Sequence, residues 1–216
     1  MSWNPDTHYK SQSVATKYDR ARFSSLPGRV FNALEKRTIA KCFATLPKGK
    51  TIVDMPCGTG RLAETLLDHG YQVHGMDISE EMLKVAHARL KKYDGRFTTA
   101  VADAKHLTRE APTYDGALCA RVLMHFPLDQ QIEFLAGVSR ASRGLVVINH
   151  SLSSPYQRMR RRIKHLLGHQ ESARFPITNH DIKTLLDGAG LHEVKRHRLW
   201  SPISEAVYIV AEKTAT

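Results

Sequence analysis

The chain has 216 residues, of which 42% are hydrophobic and 25% are charged, and its formal net charge is +11. This length predicts one sizeable folded domain, and the composition excludes an intrinsically disordered chain. The longest apolar runs fall well short of the roughly 20 residues that span a bilayer, and the N-terminus lacks a signal-peptide core, so we expect a cytoplasmic protein. The positive charge favours an anionic partner, whether nucleic acid, an acidic membrane surface or an acidic substrate.

The first half of the chain alternates between strand and helix patterns. Residues 1–28 are polar and are punctuated by Gly, Pro and Ser, which predicts a flexible N-terminal cap, and residues 29–46 predict an amphipathic helix. From residue 51 the alternation is typical of βαβ units around a parallel sheet. We expect strands at residues 51–54, 72–77, 96–100, 114–120 and 145–149, and helices at residues 61–69, 80–92 and 128–142.

The C-terminal part has a different pattern. Five of the seven residues from Arg158 to Lys164 are basic, and residues 151–178 predict a basic helical insertion or lid. A helix is expected near residues 180–188, and two strands at 194–199 and 205–212 whose short connection requires antiparallel pairing. We therefore predict a single α/β domain over residues 1–216. Its sheet is Rossmann-like, doubly wound, seven-stranded and mostly parallel with a reversed C-terminal strand, and residues 29–150 form a cofactor-binding core.

A glycine-containing loop, DMPCGTG, follows the first predicted strand. In doubly wound sheets ligands bind beyond the carboxyl ends of the strands, and Gly58 and Gly60 let the backbone turn sharply and approach a ligand. Pro56 removes an amide donor, while Asp54 repels phosphate and attracts an ammonium or sulfonium group. The loop therefore favours a cationic or zwitterionic ligand, and the missing G-x-G-x-x-G pattern argues against a dinucleotide-dependent oxidoreductase.

Two further acidic residues follow the next two predicted strands. Asp77, after the second strand, can accept hydrogen bonds from both hydroxyls of a ribose, and Asp103, after the third, can accept one from an adenine amine. A single Asp in such a place is often only a turn or capping residue. Three acidic residues at successive strand ends indicate one pocket.

With these residues the chain resembles the class I S-adenosylmethionine-dependent methyltransferases, and in particular the small-molecule enzymes of ubiquinone and menaquinone biosynthesis. The resemblance covers residues 52–149, departs at Pro56, and implies S-adenosylmethionine as cofactor and S-adenosylhomocysteine as product. It implies that Asp77 holds the ribose, that Ile78 packs on the adenine, and that Asp103 and the Ala104 amide bind the adenine edge. The expected cofactor-binding residues are Asp54, Pro56, Cys57, Gly58, Gly60, Asp77, Ile78, Asp103, Ala104, Ala120 and Arg121.

The loop after the fourth predicted strand reads ARVLMH at residues 120–125. The resemblance places Ala120 and Arg121 along the methionine end of the cofactor. In the quinone-pathway enzymes two glutamates and a histidine in this loop can hold a divalent metal. Here the matching residues are Arg121, Met124 and His125, so we expect no metal site. His125 is a candidate general base for a hydroxyl acceptor, and a capping or packing role is its alternative.

The basic segment suits a membrane surface, a cover over an anionic substrate or RNA phosphate, and a solvated helix packed on its own domain is the simpler alternative. By its position it is expected to contact the acceptor, with the N-terminal cap on the opposite wall. The candidate substrate residues are Tyr156, Arg158, Arg161 and Arg162 from the segment, and Tyr9, Tyr18 and Arg22 from the cap.

The leading hypothesis for function is an enzyme that transfers a methyl group from S-adenosylmethionine to a small-molecule or lipid-like, anionic acceptor by in-line displacement. Peripheral contact with an anionic membrane is compatible with it. One alternative is an RNA- or protein-modifying methyltransferase that uses the basic surface, although the sequence shows no array of stacking aromatic residues. A second alternative is a non-catalytic module that only binds the cofactor. The acceptor atom and the oligomeric state stay open.

Overall fold

A computed structural model describes residues 24–107, 114–153, 155–166, 175–199 and 204–214. Within them, seven strands form one sheet in the order β3-β2-β1-β4-β5-β7-β6. The strands are β1 Thr51–Asp54, β2 Gln72–Asp77, β3 Phe97–Val101, β4 Tyr114–Cys119, β5 Ser142–Ser151, β6 Leu191–Arg198 and β7 Ala206–Lys213. β1 to β5 pair in parallel, and β7 pairs antiparallel with both β5 and β6. The predicted Rossmann-like sheet with a reversed C-terminal strand is confirmed.

Six α-helices lie in the described part of the chain: α1 Leu26–Cys42, α2 Arg61–Asp68, α3 Glu80–Leu90, α4 Leu128–Ala141, α5 Pro155–Leu166 and α6 Asn179–Gly188. α1 begins three residues before the predicted start, because Ser25 Oγ accepts a hydrogen bond from the Gly28 amide at 3.2 Å and caps the first turn. Residues 26–28 are therefore helical, although the sequence placed them in the cap. α1 also ends at Cys42, four residues before the predicted end.

Side-chain caps fix the starts of two other helices. Ser79 Oγ accepts a hydrogen bond from the Met82 amide at 3.3 Å and caps α3. Thr178 and Asp181 form a capping box at α6, in which each side chain accepts from the other residue's amide, at 3.2 and 2.9 Å. Caps of this kind stabilise a helix by about 1 kcal/mol. The cap at Ser79 also places the start of α3 directly after β2.

Apolar layers cover both faces of the sheet. α4 and α6 pack on one face through residues such as Leu135 and Leu185, and α1, α2 and α3 cover the other through residues such as Ile39, Leu66 and Leu83. Central strands covered on both sides are expected to read as nearly continuous apolar runs, which is why β1 and β5 could be found from the sequence. The carboxyl ends of β1 to β5 meet at one edge of this sheet.

β5 extends over Ser142–Ser151 instead of residues 145–149, because it is hydrogen-bonded to β4 on one side and to β7 on the other. The three cysteines, Cys42, Cys57 and Cys119, are buried free thiols. No helix in the described ranges is long and apolar enough to cross a membrane.

Candidate functional site

A cavity lies at the edge of the sheet where the loops after β1, β2, β3 and β4 converge. All but one of the residues predicted to bind a cofactor line it: Asp54, Pro56, Cys57, Gly58, Asp77, Ile78, Asp103, Ala104, Ala120 and Arg121. Other lining residues were not identified from the sequence: Met55, Thr59, Arg61, Leu62, Met82, Ala102, Lys105, Val122, Phe126 and Phe134. The fold thus brings the predicted residues of four separate loops into one site.

The two glycines of the first loop have different roles. Both have left-handed backbones, with φ of +55° at Gly58 and +73° at Gly60. A Cβ on Gly58 would have no described atom within 4 Å, so the backbone there faces open space. A Cβ on Gly60 would lie 2.8 Å from Leu90 Cδ1 and 3.0 Å from Ala86 Cβ. Gly60 is the predicted cofactor residue that is missing from the cavity lining given above. Its lack of a side chain lets the loop pack on α3.

Asp77 connects the first loop to the end of β2. Its Oδ2 accepts a hydrogen bond from the Gly58 amide at 2.8 Å, and its Oδ1 accepts one from the Ser79 amide at 2.9 Å. Burial raises the pKa of Asp77 above its usual value, against the opposing effect of these backbone hydrogen bonds. Each carboxylate oxygen can accept more than one hydrogen bond, so Asp77 can hold the loop and still accept from ribose hydroxyls.

Asp54, the last residue of β1, is almost fully buried, and its Oδ2 has no hydrogen-bond partner among the described residues. Burial, and to a smaller extent the charge of Asp77, raises the pKa of Asp54 to about 8, although a hydrogen bond with the Cys57 thiol opposes the shift. Burial and the charge of Asp54 in turn raise the pKa of the Cys57 thiol. A buried carboxyl oxygen without a partner, in the wall of a cavity, fits a cationic ligand group.

A buried ion-pair network forms another part of the cavity wall. Glu35 belongs to α1, and its Oε2 lies 2.6 Å from Arg61 Nη2. Its Oε1 lies 3.1 Å from Arg121 Nη1. Its Oε1 also accepts a hydrogen bond from the Tyr208 hydroxyl at 2.6 Å. Burial acts to raise the pKa of Glu35, but the charges of Arg121 and Arg61 and the Tyr208 hydrogen bond together hold it below its usual value. Glu35 therefore stays ionised and orients two guanidinium groups at the cavity.

Arg121 has the only left-handed backbone among the described non-glycine residues, with φ of +66°. Such a conformation is uncommon for a residue with a side chain, and it needs support from its surroundings. The Arg121 side chain is only 17% exposed and forms the ion pair with Glu35. The backbone turn after β4 thus places Arg121 in the cavity wall, where the resemblance had located it.

The turn after β3 closes another side of the cavity. Asp103 Oδ1 accepts a hydrogen bond from the Lys105 amide at 3.0 Å, and Ala104 begins a short 3-10 turn over Ala104–His106. α4 packs closely on this turn, because a Cβ on Gly137 would lie 1.8 Å from the Ala104 carbonyl oxygen. Gly137 thereby fixes the backbone of Ala104, whose amide was predicted to bind the adenine edge.

His125, the candidate base, lies in the loop after β4. It ends the 3-10 turn Leu123–His125 and is half-buried. Its neighbours Val122 and Phe126 line the cavity, whereas His125 itself does not. In the described residues, no group of three or more His, Cys, Asp or Glu side chains is arranged to hold a metal ion.

Of the predicted substrate residues, the described side chains of Tyr156, Arg158 and Arg162 are not among those that line the cavity. Tyr156, Arg158 and Arg162 are exposed on α5, and Arg161 belongs to the same helix. Tyr9, Tyr18 and Arg22 lie outside the described residues. The structure therefore groups the predicted cofactor residues, and the three described substrate candidates of α5 lie outside that group.

Comparison with known proteins places the core in a sequence family. Residues 52–144 match the Methyltransferase domain family. A ubiquinone biosynthesis O-methyltransferase from Coxiella burnetii is 34% identical over 85 residues, which cover 39% of this chain and 36% of that protein. A protein of the same name from Bordetella pertussis is 28% identical over 126 residues, covering 58% of this chain and 45% of that protein. The chain matches less than half the length of either relative.

Solved structures resemble the whole chain. Magnesium protoporphyrin IX methyltransferase from Synechocystis, with bound S-adenosylhomocysteine, has a TM-score of 0.77 at 17% identity. The match covers 97% of this chain and 98% of that one. A 1,6-didemethyltoxoflavin-N1-methyltransferase from Burkholderia thailandensis has a TM-score of 0.69 at 19% identity, covering 100% of this chain and 93% of that one. At such identities the likeness concerns the fold. Residues 52–144 thus match a methyltransferase domain family, and the fold of the chain is that of solved methyltransferases with bound S-adenosylhomocysteine.

Proposed function

We propose that the protein is a methyltransferase that uses S-adenosylmethionine to methylate an oxygen atom of a small molecule. The observation that carries this proposal is the charge pattern of the cavity. The buried Asp54 offers a carboxyl oxygen without a hydrogen-bond partner, while Arg61 and Arg121 present guanidinium groups in the same wall. The amino acid part of the cofactor has an ammonium and a carboxylate, which match these two kinds of group.

The rest of the cavity suits an adenosine. The resemblance assigns Asp77 to the ribose, and its two oxygens keep acceptor capacity beside their backbone hydrogen bonds. Ile78 and Met82 offer apolar surface, and Phe126 and Phe134 form a stacked pair with ring centroids 6.0 Å apart. A nucleoside with a zwitterionic tail would therefore find complementary groups along the cavity.

The chain's part in the reaction is alignment and acceptor activation. Bound S-adenosylmethionine supplies a methyl group on a positively charged sulfonium, ready for displacement. Since no protein nucleophile is required, the lining residues act by orienting the reactants and by excluding water. His125 is our candidate to take the proton from an acceptor hydroxyl, because its neighbours Val122 and Phe126 both line the cavity.

For the acceptor we propose an anionic or lipid-like molecule. The net charge of +11 supports this, because a positive field attracts an anionic acceptor. The relatives from Coxiella and Bordetella are named for ubiquinone biosynthesis, and the Synechocystis enzyme is named for a porphyrin. These names favour a small-molecule acceptor for the present chain.

The cofactor assignment can be tested at Asp77. Asp77→Ala removes the acceptor for the Gly58 and Ser79 amides and for the ribose, so we expect calorimetric affinity for S-adenosylmethionine to fall by about 1–3 kcal/mol. Asp115→Ala is the matched control, because Asp115 Oδ2 also accepts from a backbone amide, that of Thr51, but at the opposite edge of the sheet. Equal affinity of the Asp77→Ala variant and the parent protein would refute this pocket. If Asp77→Ala fails to fold, Asp77→Asn retains an acceptor and serves instead.

The acceptor class can be found by incubating the protein with methyl-labelled cofactor and fractionated cell extract. Label in the lipid or small-molecule fractions would support the proposal. Label in RNA or protein would replace it with a macromolecule-modifying enzyme. Absence of label from every fraction, in a protein that binds the cofactor, would favour a binding module without catalysis.

A further inference from the structure

The helix α5 leaves an apolar stripe exposed. All six of its side chains that the structure describes are exposed: Tyr156, Arg158, Met159, Arg162, Ile163 and Leu166. The apolar members Tyr156, Met159, Ile163 and Leu166 are exposed to 50%, 56%, 51% and 85%. Their spacing of three, four and three residues puts them on one side of the helix, and we call these four residues the α5 stripe.

Other helices of the protein use their apolar residues differently. α3 buries Met82, Leu83, Ala86 and Leu90, and α6 buries Ile182, Leu185 and Leu186 against the sheet. Exposed large apolar side chains that stand singly are ordinary, but a contiguous row along one helix usually marks a binding surface. The α5 stripe is such a row, so a partner is expected to cover it.

The charge of α5 narrows the choice of partner. The helix reads PYQRMRRRIKHL, with five Arg or Lys residues and no Asp or Glu. Arg158 and Arg162 directly precede Met159 and Ile163, so exposed cations border the stripe. An apolar stripe flanked by cations is the pattern of a helix that lies in the interface of an anionic membrane, where its apolar side chains enter the acyl boundary and its cations meet the headgroups.

We propose that α5 docks this protein on an anionic lipid surface through the α5 stripe, with Arg158 and Arg162 at the headgroups. The proposal goes beyond methyl transfer and does not depend on it. α5 begins at Pro155, soon after the carboxyl end of β5, and therefore leaves the sheet at the same edge as the cavity.

Three other partners fit the observations less well. Residues 1–23 of the chain contain four Lys or Arg and two Asp, so they have the same sign of charge as α5. A second copy of the chain would bring two basic helices together in a protein of net charge +11. RNA would satisfy the cations but would leave Met159, Ile163 and Leu166 without an apolar environment.

Vesicle co-sedimentation tests the proposal. The full chain is mixed, without cofactor, with vesicles of phosphatidylcholine alone or with phosphatidylglycerol added. We expect binding to the anionic vesicles and little binding to the neutral ones. Arg158→Glu/Arg162→Glu should weaken the partitioning by about tenfold or more, from the contribution of each cation near a charged surface. Arg29→Glu/Arg37→Glu, at exposed positions of α1, changes the net charge equally and should have a much smaller effect.

The apolar contribution needs its own pair of variants. Met159→Ser/Ile163→Ser should also weaken partitioning by about tenfold, since it removes buried apolar area in the docked state. Val30→Ser/Val194→Ser is the control, because Val30 and Val194 are exposed to 40% and 52% outside α5. An environment-sensitive fluorophore on a Leu166→Cys variant can be attached selectively, as the native cysteines are buried, and it should shift to the blue on anionic vesicles.

Several outcomes would overturn the proposal. The first is equal binding to neutral and anionic vesicles. The second is an equal loss of vesicle binding in the α5 and α1 charge variants. The third is a fluorophore on the Leu166→Cys variant whose emission does not shift on anionic vesicles. Loss of RNA retention in the Arg158→Glu/Arg162→Glu variant, with vesicle binding intact, would replace the lipid surface with nucleic acid.

Discussion

The two sides of the cavity are built in different ways. On the carboxylate side, formed by Asp77 and Asp103, the hydrogen bonds join residues at most 19 positions apart: Asp77 accepts from the amides of Gly58 and Ser79, and Asp103 accepts from that of Lys105. On the arginine side, formed by Glu35, Arg61, Arg121 and Tyr208, the Glu35 contacts to Arg121 and Tyr208 join residues 86 and 173 positions apart.

This difference has a physical consequence. The carboxylate side depends on strand ends and turns that each segment can form with its neighbours, so its changes should act mainly on ligand binding. The arginine side brings α1, α2, the loop after β4 and strand β7 together around one buried charge. Disruption of the arginine side should therefore lower the stability of the whole fold as well as the affinity for the cofactor.

The largest expected effect is at Glu35. Glu35→Gln removes the buried negative charge that both Arg61 and Arg121 contact. Breaking a buried ion pair from one side costs about 3–5 kcal/mol, and we expect a loss of this size in the free energy of unfolding measured by urea denaturation.

The control for Glu35 is an ion pair between the same two helices at the surface. Lys36 Nζ of α1 lies 2.9 Å from Glu64 Oε2 of α2. The two side chains are 29% and 24% exposed. Glu64→Gln should cost about 1 kcal/mol or less. If Glu35→Gln were as mild as Glu64→Gln, the arginine side would not be the structural centre that its contacts indicate.

The next effect lies in the glycine loop on the carboxylate side. Gly60→Ala should lower the free energy of unfolding by about 2 kcal/mol, from its left-handed backbone and from crowding against Ala86 and Leu90 of α3. Gly58→Ala has the same backbone strain but meets no described atom within 4 Å, so it should cost about 1 kcal/mol of stability. The Gly58 variant should instead show the greater loss of cofactor affinity by calorimetry. The reverse ranking in both measurements would contradict these separate roles.

The sequence predicted the carboxylate side because its signals are local. Asp54, Asp77 and Asp103 each follow an apolar strand pattern, and parallel strands bring their carboxyl ends to one edge. The sequence assigned Gly58 and Gly60 the same role, since a glycine required by backbone packing and one required by ligand approach look the same in a sequence. Only the direction of its missing Cβ, toward Ala86 and Leu90, separates the two.

The arginine side left one signal that a sequence can show. Phe31, Glu35 and Ile39 are spaced by four residues, so Glu35 lies on the apolar face of α1. A carboxylate on such a face requires a buried partner. Arg61, Arg121 and Tyr208 could not be chosen as those partners from the sequence, because their contacts exist only after the sheet has formed. The acceptor residues were placed from the position of their segments alone, and Tyr156, Arg158 and Arg162 are exposed on α5 and are not part of the cavity lining.

The smallest expected effect concerns Asp54, where the two sides meet, since the charges of both Asp77 and Arg61 act on its carboxyl. With a pKa of about 8 in the folded protein, Asp54 is mostly protonated at pH 7. Folding favours the neutral form, so the stability that Asp54 contributes is complete below its unfolded pKa, near 4, and is lost as the pH rises toward 8.

A cationic ligand favours the ionised form of Asp54, so its binding should release the proton from the Asp54 carboxyl. We expect the affinity for S-adenosylmethionine to rise by nearly tenfold, or about 1.4 kcal/mol, between pH 6 and 7, while the cofactor's own amino group stays protonated. Calorimetry in buffers of different ionisation enthalpy should show about one proton released per cofactor bound. Asp54→Asn should bind more weakly and should flatten this pH dependence. Two results would show that the ammonium of the cofactor is held elsewhere: a parent protein that releases no proton, or an Asp54→Asn variant that keeps the same pH profile. The arginine side would then have to orient the methionine portion of the cofactor without a carboxylate opposite it.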